Sequence, residues 1–427
     1  MKLKRNIIGI LSILLLVSCK EKANENPPYQ QKQEQQVTAR DILGNPEYQA
    51  ISYGGYRKNS RQLQPTMDQL KEDMRLLNAM GIRVLRTYNV QLPHASNVLK
   101  AIRELKNEDE TFEMYVMLGA WIDCKNAWTG KPVDHNIESE QNADEIKRAV
   151  ALANDYQDIV KVIAVGNEAM VKWAESYYVQ PEIILKWVNH LQALKSEGKL
   201  PSDLWITSSD NFASWGGGGP EYHVKDLDEL IKAVDYLSVH TYPMHDTHYN
   251  PQFWGITNDE ASLSQTEQIN AAMQRALDYA KSQYNSVVRY MKNLGVDKPV
   301  HIGETGWASH SDGLYGPEGS KACDEYKSAI YYQLMRNWTQ AEGISCFYFE
   351  AFDEPWKDAQ NPNGSENHFG LFTVDGNAKY ALWNLVDEGI LEGMVRDGNT
   401  ISKTYSGDLE LLLNDVALPS INNEINN

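Results

Sequence analysis

The sequence is short of cysteine, of basic charge and of long apolar runs, and each shortage closes off a class of protein. Four cysteines occur in 427 residues. With Cys19 in a leader segment, Cys124, Cys323 and Cys346 allow at most one disulfide and no close-spaced metal motif, so buried free thiols are expected. Lysine and arginine total 40 against 58 acidic residues, a formal net charge of -18. That balance excludes a nucleic-acid partner or an anionic lipid surface, where cationic side chains must dominate. No P-loop or dinucleotide fingerprint is present: the glycine run at 216–219 lacks the lysine and the Ser or Thr of a phosphate cradle. No cofactor and no metal are expected. His240, His245 and His248 have no carboxylate cluster beside them in sequence and read as hydrogen-bonding loop histidines. Phenylalanine is also scarce, 8 residues against 23 Tyr and 11 Trp. The rings present carry a polar handle, which suits wet grooves and sugar faces.

The longest apolar run lies at the start of the chain. Lys2, Lys4 and Arg5 precede Ile7–Val17, then Ser18 and Cys19. This is the layout of an export signal, with an apolar segment too short to span a membrane comfortably. Leu16-Val17-Ser18-Cys19 resembles the lipobox of bacterial lipoproteins, which implies lipidation of Cys19 and a membrane anchor there. Lys20 behind the cysteine points to the outer membrane. Residues 20–44, with Pro27-Pro28 among Glu, Gln, Asn and Lys, read as a flexible tether. Residues 391–427 read as a polar, irregular C-terminal extension.

Between 45 and 390 strand-like apolar runs alternate with amphipathic helical stretches. The strand candidates are 50–53, 83–89, 113–122, 162–168, 204–210, 236–243, 299–307 and 346–353. Helical spacing is clearest at Met67, Leu70, Met74 and Leu77, where Gly81 follows as a stop. Eight strand–helix units make an α/β fold of the (β/α)8 TIM-barrel type the economical architecture, with a doubly wound open sheet as the alternative. A monomer is the simplest expectation.

Two of these strands end on a glutamate. VIAVGNE closes on Glu168, and VHIGETGW carries Glu304 among glycines and Trp307. A salt-bridged strand-end glutamate accounts for one such site, but two facing the same barrel mouth read as a catalytic pair. Paired carboxylates without a metal motif suit glycoside hydrolysis, in which one group donates a proton to the leaving oxygen and the other attacks the anomeric carbon. Glu168 is assigned as acid/base, with the Asn167 amide beside it to hold a sugar hydroxyl, and Glu304 as nucleophile. A separation of about 5–5.5 Å means retention of configuration, and about 6.5–9.5 Å means inversion. Tyr88, Trp121, Tyr242, Trp307 and Trp356 lie at strand ends as candidate sugar contacts, Trp307 foremost because it adjoins Glu304.

VGNE at 165–168, GETGW at 303–307, FEAFDEPWK at 349–357 and FGLFTVDGNAKYAL at 369–382 resemble glycoside hydrolase family 17, the β-1,3-glucanases and β-1,3-glucan glucosyltransferases. The resemblance spans about residues 50–385. It implies a (β/α)8 fold, a β-glucan substrate and a retaining double displacement, with the family's acid/base on Asn167-Glu168 and its nucleophile on Glu304. The family's strand-eight supports fall on Glu350, Glu354 and Lys357. A glucosyltransferase on the same fold, or a glycan-binding lipoprotein without catalysis, are the competing readings.

Overall fold

The computed structural model describes residues 37–420. The export signal, the lipidation site at Cys19 and the tether up to residue 36 lie outside the described residues. Eight parallel strands close into a barrel: β1 (Gln49–Ser52), β2 (Ile82–Arg86), β3 (Tyr115–Ala120), β4 (Val160–Asn167), β5 (Trp205–Asn211), β6 (Leu237–His240), β7 (Val300–Gly306) and β8 (Cys346–Phe349). Each pairs with its sequence neighbour, and β8 returns to β1 through Ala50 opposite Phe347 and Ile51 opposite Tyr348. Closure rules out the open sheet. The expected strands are all present. Those at 83–89, 236–243 and 346–353 are shorter than expected, because the chain leaves the ladder where the rim loops begin.

The main helices between strands are α1 (Met67–Ala79), α2 (His94–Glu108), α3 (Asn142–Asp155), α4 (Pro181–Ser196), α5 (Lys225–Ala233), α6 (Gln265–Asn293) and α7 (Glu325–Ala341), with a shorter one at Pro243–Tyr249. In α1 the Thr66 hydroxyl accepts from the Gln69 backbone and the Gln69 side chain returns to the Thr66 N–H, a reciprocal N-terminal cap. Leu70, Met74 and Leu77 are buried, as their spacing required. Helices outside and packed side chains inside leave β3 and β7 buried at every position; β3 is apolar on both faces, whereas β7 also buries His301, Glu304 and Thr305.

Two apolar layers hold the fold. One lies between strands and helices. The other fills the barrel floor, where Ala50, Val84, Met117, Val162, Tyr236 and Phe347 pack together. Ala39, Ile42 and Leu43, with the short helix Ala39–Ile42, close this floor. The expected tether therefore stops short of residue 44, and its last residues are part of the core. Above the floor the interior turns polar through Arg86, Ser209, Ser238, His240 and Glu304, all buried. Gly303 is required in this crowded layer, since a Cβ there would stand 2.0 Å from the Ser238 hydroxyl oxygen.

The segment after residue 390 joins the barrel instead of trailing from it. A two-stranded ribbon, Val395–Arg396 with Asn399–Thr400, places Arg396 against α1. Arg396 Nε donates to Asp73 Oδ1 at 3.0 Å, and Arg57 Nη2 donates to the same oxygen at 2.9 Å. Tyr53 donates to Asp73 Oδ2 at 2.9 Å. Leu412 is buried as well. The polar composition that reads as an extension belongs to charges neutralised by partners far away in sequence. The three cysteines are free thiols.

Asp73→Ala leaves two buried guanidinium groups without their shared carboxylate. It is expected to cost about 3–5 kcal/mol in urea unfolding. A loss below about 1 kcal/mol, the worth of a surface pair, would show that the cluster does not hold the C-terminal ribbon.

Candidate active site

Glu304, near the end of β7, is enclosed by donors from two other strands, β2 and β6, or the loops that follow them. Arg86, the last residue of β2, reaches across the barrel and donates through Nη1 to Glu304 Oε2 at 2.6 Å and to the Gly303 carbonyl at 2.7 Å. The Tyr88 hydroxyl donates to the same carboxylate oxygen at 2.9 Å, and the Tyr242 hydroxyl to Oε1 at 2.7 Å. Burial alone would push this carboxyl up. The Arg86 charge, followed by His240 and the two tyrosine hydroxyls, outweighs burial and brings it from 4.5 down to about 2. Glu304 is thus a carboxylate at any pH near neutrality.

Glu168 is presented differently. Gly166 and Glu168 both take left-handed backbone conformations, with φ of 80° and 46°, so the chain turns sharply off β4 and aims the carboxylate at the mouth. The Glu168 N–H is anchored on the Ser209 carbonyl at 3.0 Å. Its Oε1 lies 3.1 Å from His240 Nδ1, with the side chain 25% exposed. His240 Nε2 in turn meets the Ser209 hydroxyl at 2.8 Å, and Ser209 meets Ser238 at 2.8 Å. His240 also sits in register opposite Glu304 on the neighbouring strand, so one imidazole lies between the two carboxylates. Below the turn, Asp210 accepts from the Met170 N–H at 2.7 Å, fixing the loop that follows Glu168, and burial pushes its carboxyl up to about 7. One glutamate is locked and charged and the other is open to solvent. Such a division suits an attacking group and a proton-transfer group.

Of the other expected site residues, Tyr88 and Tyr242 reach the site, as hydrogen-bond donors to Glu304. Asn167, next to Glu168 in the chain, accepts from Arg86 Nη2, the same guanidinium that holds Glu304. Lys357 Nζ stands 3.6 Å from Glu350 and 3.8 Å from Glu354. Burial raises both of these carboxyls despite the lysine. Glu354 also accepts from the Tyr56 N–H at 3.0 Å and from Trp356 Nε1 at 2.9 Å, which sets the Trp356 ring on the cleft wall. Trp307 is a correction. It is 0% exposed, donates its indole N–H to the Ala322 carbonyl at 2.8 Å, and packs against Trp254 and Tyr331. Three residues on from Glu304, just past the end of β7, its side chain turns to the opposite side, into the wall of the barrel.

Two residues that matter here escape a motif search. Arg86 ends a strand, IRVLR, that also carries Arg83, and a strand-end arginine is the signal the sequence offers. His240 reads in sequence as a hydrogen-bonding loop histidine at a strand end, whereas it is the last residue of β6 and turns inward to Glu168. Among the described residues no group of three or more His, Cys, Asp or Glu converges as a metal site. His245 pairs with the Tyr315 hydroxyl at 3.0 Å. Two cavities meet at Glu304 and Phe349. One, of about 710 Å³, includes Glu168, Trp173 and Tyr242. The other, of about 520 Å³, includes Asn167, Tyr88, Trp121, Trp128 and Trp356. The cleft therefore continues on both sides of the carboxylate pair.

The low position of the Glu304 carboxyl makes a stability prediction. A group lowered on folding stabilises the native state fully above its unfolded value, here about 4.5, and loses that contribution as pH falls toward about 2. Wild type should therefore lose more unfolding free energy than Glu304→Gln between about pH 5 and pH 2.5. Parallel curves for the two proteins would mean that Arg86 does not hold Glu304 ionised.

A family model described as the BtgE/BtgC glycoside hydrolase domain matches residues 50–370. A solved endo-laminarinase from Formosa Hel1_33_131 is 69% identical, superposes with a TM-score of 0.90, and the match covers 90% of this chain and 98% of that one. The glucan 1,3-beta-glucosidase of Arthroderma benhamiae is 27% identical over 274 residues, 62% of this chain and 70% of the relative. The probable glucan endo-1,3-beta-glucosidase btgC of Aspergillus fumigatus is 26% identical over 330 residues, 74% of this chain, and the chain spans only 40% of that relative's length. A closed (β/α)8 barrel, two strand-end glutamates and these matches agree with the family-17 motifs, and the chain belongs to the BtgE/BtgC glycoside hydrolase family.

Proposed function

We propose that the protein cleaves β-1,3-glucan within the chain by double displacement, with Glu304 as nucleophile and Glu168 as acid/base. The observation that carries this reading is the contrast between the two carboxylates in a cleft that runs past both. Glu304 attacks the anomeric carbon as Glu168 gives its proton to the departing glycosidic oxygen, and a glycosyl ester forms on Glu304. Glu168, now a carboxylate, takes a proton from water, which attacks the same carbon and releases Glu304. Arg86, Tyr88 and Tyr242 serve the second step most: a carboxylate that they stabilise is a better leaving group from the ester. Two features support cutting inside a chain: the cleft extends on both sides of Glu304, and the 69% identical structure is named an endo-laminarinase. The export signal supports a cell-envelope location, with a lipid on Cys19 holding the enzyme to the outer membrane.

The test is chromatography of products from linear β-1,3-glucan. Wild type is expected to give a ladder of short oligosaccharides and Glu304→Gln none. Glucose or one uniform product would replace internal cutting by exo action, products longer than an oligosaccharide substrate would replace hydrolysis by glycosyl transfer, and no product would remove the substrate assignment. Glu168→Gln should spare formation of the glycosyl ester from substrates with activated leaving groups, which need little proton donation. Equal losses on activated and natural substrates would overturn the division of roles. Cys19→Ser is expected to shift the protein from the membrane to the soluble envelope fraction on ultracentrifugation, and an unchanged distribution would exclude the lipid anchor.

A further inference from the structure

The loop after β3 carries a feature that neither the fold nor the chemistry at Glu304 uses. Trp128 is 63% exposed and holds a left-handed backbone, φ 62°, between Asn126 at 67° and Gly130 at 73°. A bulky residue adopts that conformation only where its surroundings enforce it, and such positions gather at functional sites. The surroundings here are built. Cys124 and Lys125 pair with the strand Asp134–Glu138, Asn126 Nδ2 donates to the Pro132 carbonyl at 2.8 Å, and the Cys124 N–H donates to the Tyr177 carbonyl at 3.1 Å. The last bond ties this loop to the loop after β4.

The ring itself is held as firmly as its backbone. Trp128 stacks on Tyr177 with centroids 5.1 Å apart and planes 23° off parallel, and Trp121 leans on Tyr177 at 5.2 Å. Asp123 accepts from Trp121 Nε1 at 3.3 Å, and the Ser139 hydroxyl and the Trp128 indole N–H lie near enough to favour its charged form. One face of Trp128 is thus spent on Tyr177 while much of the ring stays in solvent. Packing alone gives no reason to strain the backbone and then leave the largest side chain exposed.

The platform is continuous with the catalytic cleft, since one cavity is lined by Glu304, Asn167, Trp121 and Trp128 and the other by Glu168. An acid that protonates the departing oxygen stands on the side of the departing sugars. The Trp128 side therefore receives the part of the chain that becomes esterified to Glu304. A β-linked glucose unit has its hydroxyls equatorial and presents patches of C–H on both ring faces, which is the surface an exposed indole accepts. We infer that Trp128, braced by Tyr177 and Trp121, is a distal subsite that stacks a glucosyl unit on the non-reducing side of the scissile bond, so that the enzyme gains rate from longer chains. This rests on the β-1,3-glucan reading given above.

The experiment measures kcat/KM for linear β-1,3-gluco-oligosaccharides from the trisaccharide to the heptasaccharide, with wild type, Trp128→Ala, Trp128→Gln and Trp128→Phe. Trp128→Gln keeps a polar donor for Asp123 but loses the ring, so it remains informative if Trp128→Ala disturbs the loop. The ratio of heptasaccharide to trisaccharide kcat/KM is expected to fall about five- to tenfold in the Ala and Gln variants. Trp128→Phe should recover most of it. Equal losses at every length, or an unchanged ratio in a wild type that cleaves these sugars, would overturn the subsite and leave the catalytic reading standing. A wild type that cleaves none of them would overturn both.

Discussion

A carboxylate enclosed by protein at the mouth of a barrel stays charged only if a positive charge is delivered to it, and here one arginine crosses the interior to do so. Arg86 leaves the end of β2 and touches Glu304 and the Gly303 carbonyl on β7 and Asn167 on β4. A buried ion pair is poor evidence for stability, because desolvating two ions offsets most of their attraction. Its effect is positional. It requires the middle of the barrel to be empty enough for a long side chain, which Gly303, Ser209 and Ser238 provide, and it requires a sealed floor below, which Tyr236, Phe347 and the Ala39–Ile42 helix supply. The polar layer and the apolar plug are two parts of one arrangement.

The same arrangement separates the two glutamates chemically. Glu304 is surrounded by donors and cannot easily take up a proton, whereas Glu168 hangs from a strained turn with one imidazole beside it. His240 touches Glu168 directly and lies in register with Glu304. A change of charge at one carboxylate therefore reaches the other through an imidazole whose far nitrogen is tied to Ser209.

Much of this could be read from the chain. The eight strands announce themselves as apolar runs because both faces of a barrel strand are buried, and Glu168 and Glu304 stand out because a charge ending such a run needs a reason. What could not be read follows from geometry. Trp307 follows Glu304 by three residues but points the other way, since an odd spacing along an extended chain changes face. Arg86 looks like any strand-end cation until closure brings β7 and β4 within its reach. Arg396 and its ribbon pass for a polar tail, since their partners Asp73 and Glu72 lie more than three hundred residues earlier. Contacts of that span leave no local pattern. Trp128 is equally silent: nothing in its surroundings in sequence announces a left-handed tryptophan.

The pairing of β1 with β8, reinforced by Arg396 on Asp73, has a consequence for how the molecule comes into being. The opening strand has no second neighbour until Cys346–Phe349 has been made, and Asp73 on the helix behind it has Arg57 but lacks its second guanidinium until the ribbon at 395–400 arrives. Loop-closure entropy for such distant partners must be met before their contacts form, which slows the final step relative to local structure. The nascent chain therefore cannot complete its barrel while the C-terminal segment is still unmade. Until that segment is made, the first strand stays an open edge.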